Sequence, residues 1–266
     1  MDERSRYLRR LILSGIEGTR KGHIGSALSV VEIIRVLYDD IMKYRPQEPL
    51  WPERDRFILS KGHGCLALYA VLADKGFLDV EELKTYALEN SRLGGCPESL
   101  VPGIEATTGA LGHGLSIGVG MALASRIQNR RSRVYVVLGD GELDEGSIWE
   151  AALCAAKHKL SHLTAIIDCN KLQLGGSTKE ILNLEPLREK WISFGFTVEE
   201  VDGHNVDTLK ATFKRLPFSS DKPSMVICHT IKGKGFSFAE NDYKWHWKSG
   251  IDDATILKMK SSLEKE

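Results

Sequence analysis

Two short apolar segments, residues 134–138 and 163–167, constrain the fold more than any other feature of this 266-residue chain. Each is a continuous run of apolar or β-branched residues bounded by turn-forming residues, as expected of a strand that is buried on both faces. The sequence between them is long enough for one helix, predicted over residues 147–158, and such a connection joins parallel strands. The segments therefore predict a βαβ unit within a three-layer α/β/α fold that has a mainly parallel sheet.

The rest of the chain continues this alternation of helices and strands. Apolar spacing predicts helices over residues 7–18, 29–42, 65–75, 115–129 and 207–215, and strands over residues 56–60, 197–201 and 225–228. Residues 21–25 are predicted to form a loop between helices, and residues 90–114 a long Gly- and Pro-rich loop, which in a compact domain is usually functional or disordered. A charged tail over residues 251–266 is predicted to be helical.

Composition limits the classes of function that need to be considered. The length suits one large core and nothing divides the chain, so we expect a single domain over residues 1–266. Thirty-six Lys and Arg balance thirty-six Asp and Glu, which gives little reason to expect nucleic acid or a membrane surface as a partner. The first residues form neither a signal peptide nor a spanning helix, so a cytoplasmic location is expected. Five cysteines without CxxC spacing argue against both a disulfide framework and a zinc site.

Polar residues follow both of the buried strands. Asp140 lies in Gly139-Asp140-Gly141 after the first strand, and Asn170 follows the second. Carboxylate and amide oxygens suit Mg²⁺, and the glycines allow the backbone to approach phosphate oxygens closely. Each fragment alone fits a tight turn or a loop cap. Their spacing across one βαβ unit favours a magnesium-diphosphate site at the carboxyl edge of the sheet.

The same residues resemble a known family. Gly139-Asp140-Gly141 followed by Asn170 matches the thiamine-diphosphate signature, and residues 139–150 look like its transketolase version. Further matches, in family order, are Lys21-Gly-His-Ile-Gly25, Ser60-Lys-Gly-His63, Thr107-Thr-Gly-Ala-Leu-Gly-His-Gly114, Val201-Asp-Gly-His204 and Thr230-Ile-Lys-Gly-Lys-Gly235. The resemblance covers nearly the whole chain and implies the diphosphate-binding domain of a transketolase-type transferase, with thiamine diphosphate and Mg²⁺ as cofactors.

The resemblance also implies roles for individual residues. Asp140, Asn170 and the backbone carbonyl of Leu172 would bind Mg²⁺, and Gly141 and Asn170 would contact the diphosphate. The loop Gly109-Ala110-Leu111 would meet the aminopyrimidine and thiazolium rings, although it also fits a simple helix-entry turn.

Three histidines and one glutamate complete the implied site. His63 would contact the cofactor, and His23 would line the substrate channel near the thiazolium. His246, in Trp245-His246, would approach the diphosphate and the substrate. Glu145 would meet its counterpart at a dimer interface, although beside Glu142 and Asp144 it could equally be a solvated charge.

One departure from the family concerns Cys96. In Gly94-Gly95-Cys96-Pro97 this thiol takes the place of a histidine that contacts the hydroxyl groups of the donor in transketolases. Because a thiol is a weak hydrogen-bonding group, we expect the donor to be handled differently. The donor is either a ketose bound in an altered pose or a less hydroxylated compound, such as a 2-oxo acid used by an acyl-transferring synthase.

The second departure is length. Full transketolases are more than twice as long and carry a pyrimidine-binding domain whose glutamate ionises the cofactor. We therefore expect this chain to be the amino-terminal subunit of a split transketolase, completed by a separately encoded carboxy-terminal subunit in an α2β2 assembly. A catalytically silent subunit for assembly or regulation is the non-enzyme alternative, and the retention of Asp140, Asn170, His23 and His63 weighs against it.

Overall fold

A computed structural model describes residues 1–265, and its centre is a five-stranded sheet in which all neighbouring strands are parallel. In chain order the strands are β1 Lys21–Gly22, β2 Arg56–Leu59, β3 Val134–Gly139, β4 Leu163–Cys169, β5 Leu172–Gln173, β6 Gly176–Ser177, β7 Thr197–Asp202, β8 Ser224–His229 and β9 Lys248–Ser249. The central order is β2-β3-β4-β8-β7, while β1 pairs with β9 and β5 with β6 in small antiparallel ladders. The predicted parallel βαβ unit is confirmed.

Helices cover both faces of the central sheet. They are α1 Glu3–Thr19, α2 Ile24–Leu28, α3 Val31–Val36, α4 Cys65–Asp74, α5 Gly114–Ile127, α6 Gly146–Lys157, α7 Thr178–Ile181, α8 Leu187–Ser193, α9 Val206–Lys214 and α10 Asp253–Lys265. On one face α1–α4, α9 and α10 share a core with Tyr135 and Ile166. On the other, α5, α6 and α8 pack with Val136 and Ile167. Since alternate strand residues point to opposite faces, β3 and β4 supply both cores, which confirms the three-layer architecture.

The structure corrects the prediction for residues 21–42. The apolar spacing predicts one helix over residues 29–42 after a loop, but α2 already begins at Ile24, the helix breaks around Ser29, and α3 ends in a π-helical turn, Leu37–Ile41. All residues of α2 and α3 are buried, so apolar spacing could not reveal the break. The Ser29 hydroxyl, at the break, donates to the Asp168 carboxylate at 2.6 Å, a contact between distant parts of the chain.

The long loop and the tail agree with their predictions. Within the described chain, no helix or strand lies between the 3₁₀ helix Val80–Thr85 and α5. Helix α10 confirms the tail helix as far as Lys265, and Glu266 lies outside the described residues. Across residues 1–265, no helix combines the length and the apolar character needed to cross a membrane.

Gly118 allows α5 to pack closely on β3. A Cβ atom at Gly118 would lie 2.5 Å from Cγ2 of Val136, whereas one at the exposed Gly120 would meet nothing within 4 Å. We expect Gly118→Ala to lower the free energy of unfolding by about 1–3 kcal/mol through overpacking. Gly120→Ala, the matched control, should raise it by up to about 1 kcal/mol because alanine favours helix. Urea titration of the two variants checks this, and equal effects would contradict the packing described.

Candidate functional site

The loops that follow β2, β3, β4 and β8 meet at the carboxyl edge of the sheet, where they enclose a cavity of about 320 Å³. This is the edge at which open α/β sheets bind ligands. Ten of the predicted site residues line it: His23, His63, Cys96, Gly109, Leu111, Asp140, Gly141, Asn170, Leu172 and His246. The lining also includes Ser26, Lys61, Gly139, Glu142, Gln173, Leu174 and Lys232.

Two predicted residues, Ala110 and Glu145, are not part of the cavity lining. Ala110 is exposed between Gly109 and Leu111, which both line the cavity. Glu145 is exposed immediately before α6, and its side chain makes no capping hydrogen bond to that helix. Their roles in cofactor contact and at a dimer interface stay predictions.

Asp140, Asn170 and Leu172 line the cavity, and each carries an oxygen atom of a kind that can bind a metal. Asp140 Oδ1 accepts from the Gly141 amide at 2.8 Å, and Asn170 Oδ1 accepts from the Leu172 amide at 3.1 Å. The Leu172 carbonyl accepts from the Lys232 ammonium at 2.8 Å, so this oxygen already binds a cationic group. A carboxylate, an amide oxygen and a carbonyl are hard ligands, and these residues therefore fit a Mg²⁺ site.

The carboxylate of Asp140 is buried, and its electrostatic environment also suits a metal. Burial, and after it the nearby Asp168 carboxylate, raise the pKa of Asp140 to about 6, although backbone amides of Lys171 and Gly141 donate to it. A buried carboxylate near a like charge is costly to ionise. A divalent cation bound there would favour the ionised form.

Lys61 and Asp168 form a buried ion pair beneath the cavity. Lys61 is 1% exposed and Asp168 is fully buried, and the ammonium donates to the carboxylate. Burial would raise the pKa of Asp168, but Lys61 and the hydroxyls of Ser29 and Thr230 outweigh burial and hold that pKa below its usual value. Sequence reasoning missed both residues, although Lys61 lies in the Ser60-Lys-Gly-His63 motif and Asp168 precedes Asn170 by two positions.

Glu142 is buried, although it lies in an acidic turn. Its side chain is 2% exposed and accepts hydrogen bonds from the Gly112 amide at 2.9 Å, the Gly139 amide at 3.1 Å and the Ser60 hydroxyl. Burial raises the pKa of Glu142. One carboxylate thus connects the loops that follow β2 and β3 with the turn before α5, a role that the sequence analysis did not assign.

The three predicted histidines form one cluster, with ring centroids 5.2 to 5.5 Å apart. Burial, assisted by the nearby Lys232, lowers the pKa of His23 to about 4 and that of His246 to about 3. Burial and Lys61 hold the pKa of His63 well below its usual value. All three imidazoles are therefore neutral at pH 7. Lys232 Nζ lies 3.0 Å from His246 Nδ1, so the ammonium donates and the other ring nitrogen of His246 carries the proton.

Cys96 lies beside Gly109 in the cavity. A Cβ atom at Gly109 would lie 3.6 Å from the Cys96 sulfur, and the Cys96 carbonyl accepts from the Tyr69 hydroxyl at 2.9 Å. Burial, and after it Glu98, raise the pKa of the thiol. The side chain is thus a neutral, weakly polar group at the position where the family resemblance places a histidine.

Comparisons with known proteins identify the family of this chain. The family model described as "Transketolase, thiamine diphosphate binding domain" matches residues 2–265. The chain is 44% identical over 238 residues to one subunit of the apulose-4-phosphate transketolase of Phocaeicola vulgatus, covering 90% of this chain and 85% of that protein. It is 43% identical to the SqwG subunit of the 6-deoxy-6-sulfo-D-fructose transketolase of Clostridium sp., covering 100% of this chain and 97% of that protein.

A solved structure shows the same relationship at the level of the fold. The transketolase from Leishmania mexicana superimposes with a TM-score of 0.91 at 32% identity, covering 98% of this chain but 41% of that longer chain. Human transketolase is 38% identical over 243 residues, which are 38% of its own length. The chain therefore belongs to the transketolase family, and it corresponds to the thiamine diphosphate-binding domain of that family.

Proposed function

We propose that this chain is the amino-terminal subunit of a two-subunit transketolase, which transfers a two-carbon ketol unit from a donor ketose to an aldose acceptor. The observation that carries the proposal is a single cavity lined by Asp140, Asn170 and Leu172, by three neutral histidines and by the buried Lys232. The substrate names of the two relatives described above are both those of modified sugars, which favours ketol transfer over the use of a 2-oxo acid.

In this proposal, Asp140, Asn170 and the Leu172 carbonyl hold Mg²⁺, and Gly141 offers its backbone close to the diphosphate. Lys61 and Lys232 are 1% exposed, and their charges would offset that of the anion. When bound, thiamine diphosphate supplies a carbanion sink for cleavage of a carbon–carbon bond. Gly109 and Leu111, with the neighbouring Ala110, would contact its rings.

The neutral histidines provide the chain's own acid–base chemistry. An unprotonated imidazole nitrogen can accept a proton from a substrate hydroxyl and return it later in the reaction. The ammonium of Lys232 fixes the tautomer of His246 and leaves its second nitrogen as a donor. His23 Nδ1 is buried and has no hydrogen-bond partner within the described structure.

The partner is proposed from the relatives. Both of the bacterial relatives described above are named as one subunit of a transketolase, which indicates a separate second polypeptide in those enzymes. We propose that a carboxy-terminal subunit supplies the residue that ionises the aminopyrimidine, and that two copies of each chain assemble as α2β2. The exposed Glu145 would then lie where the two copies of this chain meet.

Affinity purification of the tagged chain from its native cells tests the assembly. The expected result is a stoichiometric second polypeptide and ketol transfer only when both chains are present. Robust transfer by this chain alone would contradict the proposal.

Metal-dependent cofactor binding should require Asp140. Asp140→Ala should weaken Mg²⁺–thiamine diphosphate binding more than about 10-fold at pH 8, since contacts to a charged group contribute at least about 1.5 kcal/mol. Glu150→Ala, which removes an exposed carboxylate on α6 outside the cavity lining, should stay close to wild type. Isothermal titration calorimetry of the complex with the co-purified partner subunit checks both variants, and equal losses would contradict the assignment of Asp140.

The same binding should depend on pH, because Asp140 must be ionised to bind the metal. With a pKa of about 6, the acid form becomes dominant as the pH falls below that value. We expect the affinity to fall about 10-fold for each pH unit below the pKa. Titrations between pH 8 and pH 5 measure this, and an affinity that is constant down to pH 5 would be incompatible with Asp140 as a ligand.

Cys96 is proposed to influence the choice of donor. Cys96→His should restore a hydrogen-bonding group for a hydroxylated donor and raise kcat/KM for ketose phosphates relative to pyruvate by about 3–10-fold, the effect of one hydrogen bond. The half-buried Cys154 on α6 offers Cys154→Ser as a matched control that should leave the preference unchanged. If Cys96→His also leaves the donor ratio unchanged, Cys96 does not determine donor choice.

A further inference from the structure

His204 lies outside the cavity lining, yet both of its ring nitrogens are engaged. It follows β7 in the motif Val201-Asp-Gly-His204, and its side chain is 13% exposed. Nδ1 lies 2.9 Å from Glu32 Oε2, and Nε2 accepts from the Ile231 amide at 2.8 Å. A carboxylate only accepts and a backbone amide only donates, so the two contacts fix a neutral imidazole with its proton on Nδ1.

The partner of His204 is anchored deep in the protein. Glu32 is 3% exposed and accepts from the fully buried Arg9 at 2.5 and 3.0 Å. Burial would raise the pKa of Glu32, but Arg9 and His204 outweigh it and hold that pKa well below its usual range. The Arg9 Nε also donates to the carbonyl of Lys234 at 2.8 Å. The buried Arg9–Glu32 ion pair is therefore connected to two points of the backbone. Glu32 is connected to Ile231 through His204, and Arg9 binds the carbonyl of Lys234 directly.

The segment held in this way, residues 231–234, is the turn that carries Lys232. The Gly233 amide donates to the Gly25 carbonyl at 3.1 Å, and a Cβ atom at Gly233 would lie 2.4 Å from the Ala239 carbonyl oxygen. Gly233 also has a φ of +83°, a left-handed conformation that glycine favours. The turn is thus fixed at its ends by hydrogen bonds and in its middle by close packing.

Lys232 extends from this turn into the cavity. Its ammonium lies 2.8 Å from the Leu172 carbonyl and 3.0 Å from His246 Nδ1. The position of the ammonium therefore depends on the path of the backbone that Ile231 and Lys234 define. Movement of this backbone would shift the Lys232 charge relative to the oxygens of the proposed metal site.

We propose that His204 is a positioning residue: by binding the Ile231 amide, it fixes the 231–234 turn and holds the Lys232 ammonium where it meets a metal-bound diphosphate. The inference rests on the proposed function, in which the cavity binds that anion. His204 itself touches neither the anion nor the substrate, and its effect passes through the backbone of the turn.

Hydrogen exchange tests the turn directly. His204→Asn retains an amide donor for Glu32, but the shorter side chain has no acceptor that extends as far as Nε2 does toward the Ile231 amide. Exchange of backbone amides in residues 230–236 of the full chain should become about 3–10-fold faster, as expected for the loss of one hydrogen bond. His204→Gln, whose longer side chain can offer an oxygen to the Ile231 amide, should recover part of the protection.

A matched control is available at His229. This exposed histidine pairs with Glu200 at 2.7 Å, close to the same edge of the sheet, and within the described residues its side chain makes no hydrogen bond to the turn. His229→Asn should leave exchange of residues 231–236 unchanged. Unchanged exchange in His204→Asn as well would overturn the proposed role of His204.

A double-mutant cycle then tests whether His204 acts through Lys232. His204→Asn should raise the dissociation constant for Mg²⁺–thiamine diphosphate about 3–10-fold in the wild-type background, with no further increase when Lys232→Met is present. An equal effect in both backgrounds would overturn the inference, because a general structural role does not require Lys232. If the wild-type complex of this chain with its partner subunit binds no cofactor, the proposed function fails, whereas the exchange result still decides whether His204 holds the turn.

Discussion

The buried ion pair between Lys61 and Asp168 joins the elements that build the cavity. Lys61 follows β2 and Asp168 lies near the end of β4, 107 positions later. Asp168 also accepts from Ser29, at the break between α2 and α3, and from Thr230, after β8. Removing one partner of such a pair leaves an uncompensated charge and typically costs about 3–5 kcal/mol. The carboxyl edge of the sheet is therefore held together by charge as well as by apolar packing.

The same burial gives the cavity a charge pattern that is complementary to a metal-bound anion. Burial, and after it the charge of Lys61, lower the pKa of Lys232 to about 8. Burial also raises the pKa of Asp140 to about 6. An anion near the lysine and a divalent cation at the carboxylate would each favour the charged form. A metal diphosphate would thus relieve both electrostatic costs at once, while the neutral histidines leave the rest of the cavity free of excess positive charge.

Sequence alone predicted the parts of the structure that depend on local pattern. The runs 134–138 and 163–167 predicted buried strands because each supplies apolar side chains to both faces of the sheet, and the structure confirms strands there. Asp140 and Asn170 were predicted to share an edge because parallel strands place their carboxyl ends together, and both line one cavity. Local sequence pattern was sufficient to predict the three-layer architecture and the edge of the sheet at which the site lies.

Contacts between residues that are distant in the chain cannot be predicted from local sequence patterns. The burial of Glu142 and the pairing of Lys61 with Asp168 depend on hydrogen bonds between residues far apart in the chain, and Ser29, at the helix break, also makes such a hydrogen bond. In the sequence, a charged residue in a loop is expected to be exposed to solvent, because its hydrogen-bonding partner lies elsewhere in the chain. Only the tertiary structure brings the hydrogen-bond donors and acceptors of these residues together.

The central claim is that Asp140, Asn170 and the Leu172 carbonyl form the metal side of a thiamine diphosphate site. Anomalous diffraction from crystals grown with Mn²⁺ and thiamine diphosphate measures the metal position directly. The predicted result is one Mn²⁺ peak within about 2–2.5 Å of these three oxygens and of the diphosphate. A metal peak elsewhere in the cavity, or cofactor bound without a metal at Asp140, would contradict the account.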